Sequence, residues 1–468
     1  MAQFIFGIEE MDEYYKRALA PRRLVVLKGH PGSGKTLFAS TMCVSNALKL
    51  GHKCLYISFQ EDEEKFVEYS QGIGLRTTEA IEKGLLKFVR LPLISSEEGI
   101  SELLDEISRI VSEYKPKVIV VDSISPILQV AGFEPRARGL LQNYFYNMPS
   151  IVDGIAILIA EIPLDENVYT GSGIDFVADI VIYLKSEVKG NLLVRKMEIK
   201  KIRGHGIYIS DSPFKITSQG IQVFLPPLIE DVPPPGPSVI ILDPALEHLE
   251  KYISKIRLGE SIYMKSGGGD EAIYLTIAYA SHANKAKALL VSFRRSEEEV
   301  REMIGERLGI DPVRIEKLIE EMMVHSINPA EKSFEESLGE ILYLAKRLKP
   351  QILVIDGIDV PLMLSDSPKE VLLHVRNLQL IARMLNCVIL IVDYSEKPND
   401  PLLRLSDIVI VSNLRNGEVC ISAARKGKPF DTRCMSISML EDYRELLARK
   451  LKEGLTQRVS KTPMESGG

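Results

Sequence analysis

The sequence predicts two tandem doubly wound α/β domains, and three observations carry that prediction. Short β-branched runs alternate with longer amphipathic segments along the chain, the pattern of buried parallel strands covered on both faces by crossover helices. A long motif recurs. Pro116-Lys-Val-Ile-Val-Val-Asp-Ser-Ile124 returns as Pro350-Gln-Ile-Leu-Val-Ile-Asp-Gly-Ile358, and Ser58-Phe59 returns as Ser292-Phe293 at the same sequence offset. Ile157-Leu-Ile and Ala178-Asp-Ile-Val-Ile182 are answered by Ile389-Leu-Ile and Ser406-Asp-Ile-Val-Ile410 after small deletions. Matches that share an offset point to duplication. Between the copies, the proline-rich stretch 226–237 lacks the backbone donors of a helix or a central strand and reads as a linker. The expected domains therefore span residues 1–225 and 238–440, with a charged helix and a disordered tail over 441–468.

Composition bounds the class. With 468 residues, 45% hydrophobic and 26% charged, the chain can build two sizeable cores without covalent staples. Its cysteines, Cys43, Cys54, Cys387, Cys420 and Cys434, are odd in number and scattered, with no metal-ligand spacing. That favours reduced thiols in a cytoplasmic protein. A net charge of −6 gives no footprint for nucleic acid, although a local patch at Lys196, Lys200, Lys201 and Arg203 stays open. No segment has the length and apolarity of a membrane span, so no membrane partner is expected.

The first-half strands read as Leu24–Leu27, Cys54–Ile57, Val118–Val121, Ile155–Ile159 and Ile180–Tyr183. Directly after the first comes Gly29-His30-Pro31-Gly32-Ser33-Gly34-Lys35-Thr36, which satisfies G-x-x-x-x-G-K-[ST] and opens a helical segment. Glycines let the loop wrap phosphates with backbone N–H groups, Lys35 meets the β and γ oxygens, and the Thr36 hydroxyl ligates Mg²⁺. The cofactors expected are ATP and Mg²⁺. Asp122 ends the strand Val118–Val121, where a carboxylate can hold that metal through water.

These motifs, with Phe6-Gly-Ile-Glu-Glu-Met-Asp12, Tyr56-Ile-Ser-Phe59, Gly173-Ile-Asp-Phe-Val-Ala-Asp179 and Lys201-Ile-Arg-Gly204, resemble a KaiC-like ATPase of the RecA/RadA superfamily, of the double-domain archaeal type. The resemblance covers the first 225 residues well and the second half more weakly. It implies ATP bound between subunits of a ring, commonly a hexamer, with Lys201 and Arg203 reaching the neighbour's γ-phosphate. It also implies a γ-phosphate-sensing role for Glu161, and leaves a protein partner for the second domain open.

The chain departs from the family at two places. Where KaiC-like enzymes place an acidic pair, this chain has Gln60-Glu61. Glutamine can orient water but cannot take its proton, so slow hydrolysis is expected, with either Glu61 as base or Gln60 positioning water. In the second half the phosphate loop is replaced by the shorter Met264-Lys265-Ser-Gly-Gly-Gly269-Asp270-Glu271, Arg294-Arg295 stands at the water-activating position, and Asp356 alone survives. That half reads as a pseudo-ATPase. Asp175-Phe176 and Leu403-Arg404 occupy the positions of the clock phosphorylation pair without a hydroxyl, so autophosphorylation is not expected. Three functions are weighed: a slow Mg²⁺-dependent ring ATPase, an ATP-gated scaffold, and a RadA-paralogue-like DNA-repair factor, the last disfavoured by the acidic balance.

Overall fold

The computed structural model describes residues 4–94, 96, 98–132, 135–162, 174–189, 192–207, 211–226, 229–237, 239–240, 256–267, 270–309 and 322–459. Gly173, Gly268, Gly269 and the tail from Lys461 lie outside them. The chain divides into two compact units, Met1–Leu225 and Pro226–Gly468.

The first unit runs α1 (Glu9–Tyr14), β1 (Arg23–Gly29), α2 (Lys35–Leu50), β2 (Cys54–Ser58), α3 (Glu63–Gly72), α4 (Thr77–Glu82), β3 (Leu86–Arg90), α5 (Glu98–Tyr114) and β4 (Val118–Asp122). It continues with α6 (Ser125–Val130), α7 (Pro135–Ile151), β5 (Ile155–Glu161), α8 (Ile174–Val177), β6 (Ile180–Lys189), β7 (Leu192–Ile202), β8 (Asp211–Thr217) and β9 (Gly220–Val223). The sheet order is β3-β2-β4-β5-β1-β6-β7-β8-β9. Pairing is parallel from β3 to β6 and antiparallel from β6 to β9. Alternation along β1 explains the layers: Val25 and Leu27 pack under α2 with Phe38, Met42 and Tyr56, while Leu24 and Val26 join a second core with Leu104, Ile107, Leu141 and Phe145. Each such buried aliphatic side chain contributes about 1.5–3 kcal/mol.

The second unit carries β10 (Val239–Ile240), β11 (Ile256–Arg257), β12 (Ser261–Lys265), α9 (Asp270–Asn284), β13 (Ala288–Ser292), α10 (Glu297–Leu308), β14 (Met322–Ser326), α11 (Phe334–Leu348) and β15 (Ile352–Asp356). After these come α12 (Asp359–Leu364), α13 (Pro368–Met384), β16 (Val388–Asp393), α14 (Asp400–Leu405), β17 (Ile408–Arg415), β18 (Glu418–Arg425), β19 (Asp431–Ser436) and α15 (Ile437–Val459). Its main sheet, β14-β13-β15-β16-β12-β17-β18-β19, repeats the first in order and in the switch from parallel to antiparallel pairing. The charged C-terminal helix begins at Ile437 and buries Leu447, Ala448 and Leu451 in the core. No helix among the described residues is long and apolar enough to cross a membrane.

The cysteines correct the sequence reading. Cys43 on α2 is bonded to Cys54 on β2, and Cys420 to Cys434 across β18 and β19. Only Cys387 is free, and burial pushes its thiol up to about 12. Sequence separation concealed both bridges, because neighbouring strands and an overlying helix bring distant cysteines together.

Candidate functional site

The site is built where β1 stops. A Cβ on Gly29 would lie 2.1 Å from the Leu184 carbonyl oxygen of β6, so only glycine permits that close pairing. Gly34, at φ 97°, turns the chain into α2 in a left-handed conformation that glycine adopts without strain. The loop's backbone thus ends at the N-terminus of a 16-residue helix, where unsatisfied N–H groups and the helix dipole favour an anion.

A cleft of about 490 Å³ lies over this loop, lined by Gly32, Lys35, Thr36, Gln60, Glu61 and Asp122 among others. Pro31, Gly34 and Glu161 complete its phosphate-loop side, while Gly29, His30 and Ser33 form the turn beneath, with Ser33 fully buried. Lys35 is 7% exposed and donates to the His30 carbonyl at 2.9 Å. Burial depresses its pKa, against the opposing pull of Glu161 and Asp122. The His30 ring meets the Ile162 carbonyl at 3.2 Å.

Thr36 and Asp122, 86 residues apart in sequence, meet here: the Thr36 hydroxyl donates to Asp122 Oδ2 at 2.9 Å. Tyr56 donates to the same oxygen at 2.8 Å. Burial raises the Asp122 carboxyl, and these two hydroxyls oppose that rise by stabilising the anion. A hydroxyl beside a carboxylate at the head of a phosphate loop is a donor set suited to Mg²⁺. Glu61 is half-buried, with its N–H held by Ser58 Oγ at 3.1 Å, whereas Gln60 is exposed. Burial first, and the Asp122 charge second, raise the Glu61 carboxyl. Glu161 stands opposite Gly29 in the sheet register.

Lys201 and Arg203 lie elsewhere. Ile202 pairs with Ile180, which pairs with Val25, so this segment sits toward the opposite end of β1 from the loop. At about 3.3 Å per residue, Val25, level with Ile202, lies about 13 Å along β1 from Gly29. Lys201 donates to the Asp175 and Phe176 carbonyls at 3.3 and 3.0 Å, and Arg203 to Asp179 Oδ1 at 3.3 Å. Burial and the Arg203 charge depress the Lys201 pKa. Three other lysines of the hairpin are matched: Lys196 by Glu187 at 3.4 Å, and Lys185 and Lys200 by Glu198.

Three contributors escaped the sequence reading. Tyr56 lay inside a recognised motif without a role, and Arg195 of β7 and Ile216 of β8 reach the cleft from the antiparallel extension. No local motif marks Arg195 or Ile216, because only the sheet order brings β7 and β8 beside the loop.

In the corresponding region of the second unit, the described polar side chains bond one another and the neighbouring backbone. Lys265 stands opposite Asp393, as Gly29 stands opposite Glu161, and its ammonium bonds the Ser412 carbonyl and Asn413 Oδ1 at 3.3 and 3.2 Å. Asp356 is fully buried and accepts from Tyr274, Ser292 and Tyr394 at 2.9, 2.7 and 2.9 Å. Tyr263 donates to Asp393 at 2.5 Å. Arg294 lies over the Tyr394 ring at 4.2 Å and pairs with Asp359, while Arg295 pairs with Glu299.

Residues 5–227 match the family model described as the KaiC ATPase. A UPF0273 protein of Methanopyrus kandleri is 26% identical over 234 residues, covering 46% of this chain and 90% of that protein. The circadian clock oscillator protein KaiC of Synechococcus elongatus is 21% identical over 364 residues, 75% of this chain and 69% of that protein. KaiC of Parathermosynechococcus lividus is 24% identical over 228 residues, 47% of this chain and 41% of its own length.

Proposed function

We propose, from the premise that the first half of the chain is a KaiC-type ATPase domain, that the protein is a slow Mg²⁺-dependent ATPase acting at the subunit interfaces of a homo-oligomeric ring, a hexamer by family expectation. The observation that carries the reading is the convergence of Lys35, Thr36, Asp122 and Glu61 on one cleft at a helix N-terminus.

The loop N–H groups and Lys35 bind and orient the triphosphate. Thr36, and Asp122 through water, would hold Mg²⁺, which when bound would supply positive charge to the triphosphate oxygens. Glu61 takes a proton from the attacking water as its oxygen bonds the γ-phosphorus and the bond to the β–γ bridging oxygen breaks, leaving ADP. Gln60 orients that water. Arg195 meets the nucleotide from the same subunit, because it lines the cleft. Lys201 and Arg203, remote from their own loop, supply positive charge to the neighbour's γ-phosphate.

The second half is proposed as a pseudo-ATPase. Its surviving carboxylate, Asp356, already accepts three hydroxyl hydrogen bonds, so binding a metal there would forfeit them. This half has the character of a fixed platform for a protein partner. Pairing of Lys185, Lys196 and Lys200 with Glu187 and Glu198 weighs against a DNA-binding patch. A cytoplasmic location is proposed because ATP, the ligand proposed for the cleft, is supplied inside the cell.

Gln60 favours a second reading, an ATP-locked scaffold with little turnover. Single-turnover hydrolysis of Mg·ATP by wild type and Gln60→Glu, with assembly mass followed on the same samples, separates the two. Turnover by wild type supports the ATPase. A stable ATP-bound ring that cleaves only after Gln60→Glu supports the scaffold and overturns it.

A further inference from the structure

One buried ion pair takes no part in the chemistry above. Lys28, the residue before Gly29, is 5% exposed, and its ammonium lies 2.5 Å from Oδ2 of Asp175, also 5% exposed. The pair sits on the face of β1 that otherwise carries Leu24 and Val26. Buried pairs of this kind add little stability over well-packed apolar side chains, yet losing one partner leaves a buried charge uncompensated and is strongly destabilising. Stability alone therefore gives no reason for two charges beneath the phosphate loop.

The position of Asp175 does give one. It lies on the short α8, whose backbone carbonyls at Asp175 and Phe176 accept the Lys201 ammonium. Phe176 beside them is 75% exposed, so this corner faces outward, where a neighbour can seat. The strand that opens the phosphate loop holds α8 through Lys28, and α8 in turn holds Lys201.

We infer that Asp175 is a positioning residue: through Lys28 it ties the placement of Lys201, the cation a subunit offers its neighbour, to that subunit's own phosphate-loop strand. The inference rests on the trans role of Lys201 proposed above. With the link cut, Lys201 loses its fixed starting point and the transition state on the neighbouring subunit loses stabilisation, while ATP binding there is unaffected.

The test uses mixed assemblies of two full-length variants. Donor subunits carry Lys35→Ala and cannot bind ATP; acceptor subunits carry Lys201→Ala and offer no cation. Hydrolysis then reports acceptor loops served by donor lysines. Adding Asp175→Asn to the donor is expected to lower kcat about 10-fold with KM for ATP unchanged, in assemblies of unchanged mass. Unchanged kcat overturns the inference. A Lys28→Met/Asp175→Asn donor, which leaves no unpaired charge, guards against misfolding: kcat should stay low, and recovery to the parent level would mean the pair is only structural. Equal hydrolysis when both subunit types lack Lys201 overturns the trans reading itself.

Discussion

Glu61→Gln is the substitution that most directly tests the catalytic assignment. It preserves the shape of a half-buried side chain whose N–H is anchored on Ser58 Oγ at 3.1 Å, and removes only the capacity to take a proton. General-base catalysis contributes about 10²–10⁴-fold, which at 1.36 kcal/mol per decade is about 3–5 kcal/mol of barrier. Ser58 is paired in register with Asp122, so Glu61 stands close to a second carboxylate, and burial plus that charge raises its pKa above the ordinary 4.5. A base must be ionised, so activity should fall as pH drops through this raised pKa, and the fall should begin above 4.5. Rapid-quench single-turnover hydrolysis with enzyme in excess, repeated across pH, measures both quantities. The expected result is a kcat lower by about 10²–10⁴ with ATP affinity little changed. A variant within about threefold of wild type, or a larger loss from Gln60→Ala, would refute the assignment.

Three further outcomes follow from the same geometry. Because burial raises the Asp122 carboxyl, its ionised form disfavours the nucleotide-free fold: the stability it lends is present below 3.8 and lost as pH rises through the raised value. Asp122→Asn should therefore make the nucleotide-free protein more resistant to urea at pH 7, a gain that shrinks toward pH 3.8, while Mg·ATP turnover collapses; lower stability at pH 7 would contradict this. Tyr394→Phe removes one of three hydroxyls from buried Asp356 and should cost about 1–3 kcal/mol in denaturant unfolding without changing ATP turnover, whereas loss of turnover would point to a nucleotide role for the second half. The disulfides close loops of 11 and 14 residues in sequence separation, each stabilising by about 3 kcal/mol in the chain-entropy model. Unfolding in urea with excess dithiothreitol should shift accordingly, and identical curves would show that the bridges do not stabilise the fold.

The phosphate loop was legible in the sequence because its chemistry is local. Gly29 through Thr36 are consecutive, and the fixed residue types of the G-x-x-x-x-G-K-[ST] pattern are those that wrapping a phosphate and holding a metal call for. The duplication was legible for a related reason: β-branched strands with fixed spacing, such as Val118–Val121 and Ile352–Ile355, leave a pattern that survives divergence. The proposed roles of Asp122 and Glu61 could be placed only relative to that loop, through the strand order the fold class implies.

What the tertiary structure alone decided depends on contacts between distant segments. Arg195 and Ile216 enter the cleft because β7 and β8 extend the sheet beyond β6. The cysteine pairs form because α2 lies over β2, and because β18 and β19 set Cys420 opposite Cys434 in register. Lys28 and Asp175 are 147 residues apart, and neither stands out in sequence as part of a buried pair. Composition and periodicity report what each segment buries. Which side chains then face one another is set by strand register and crossover, whose determinants are spread over the whole chain.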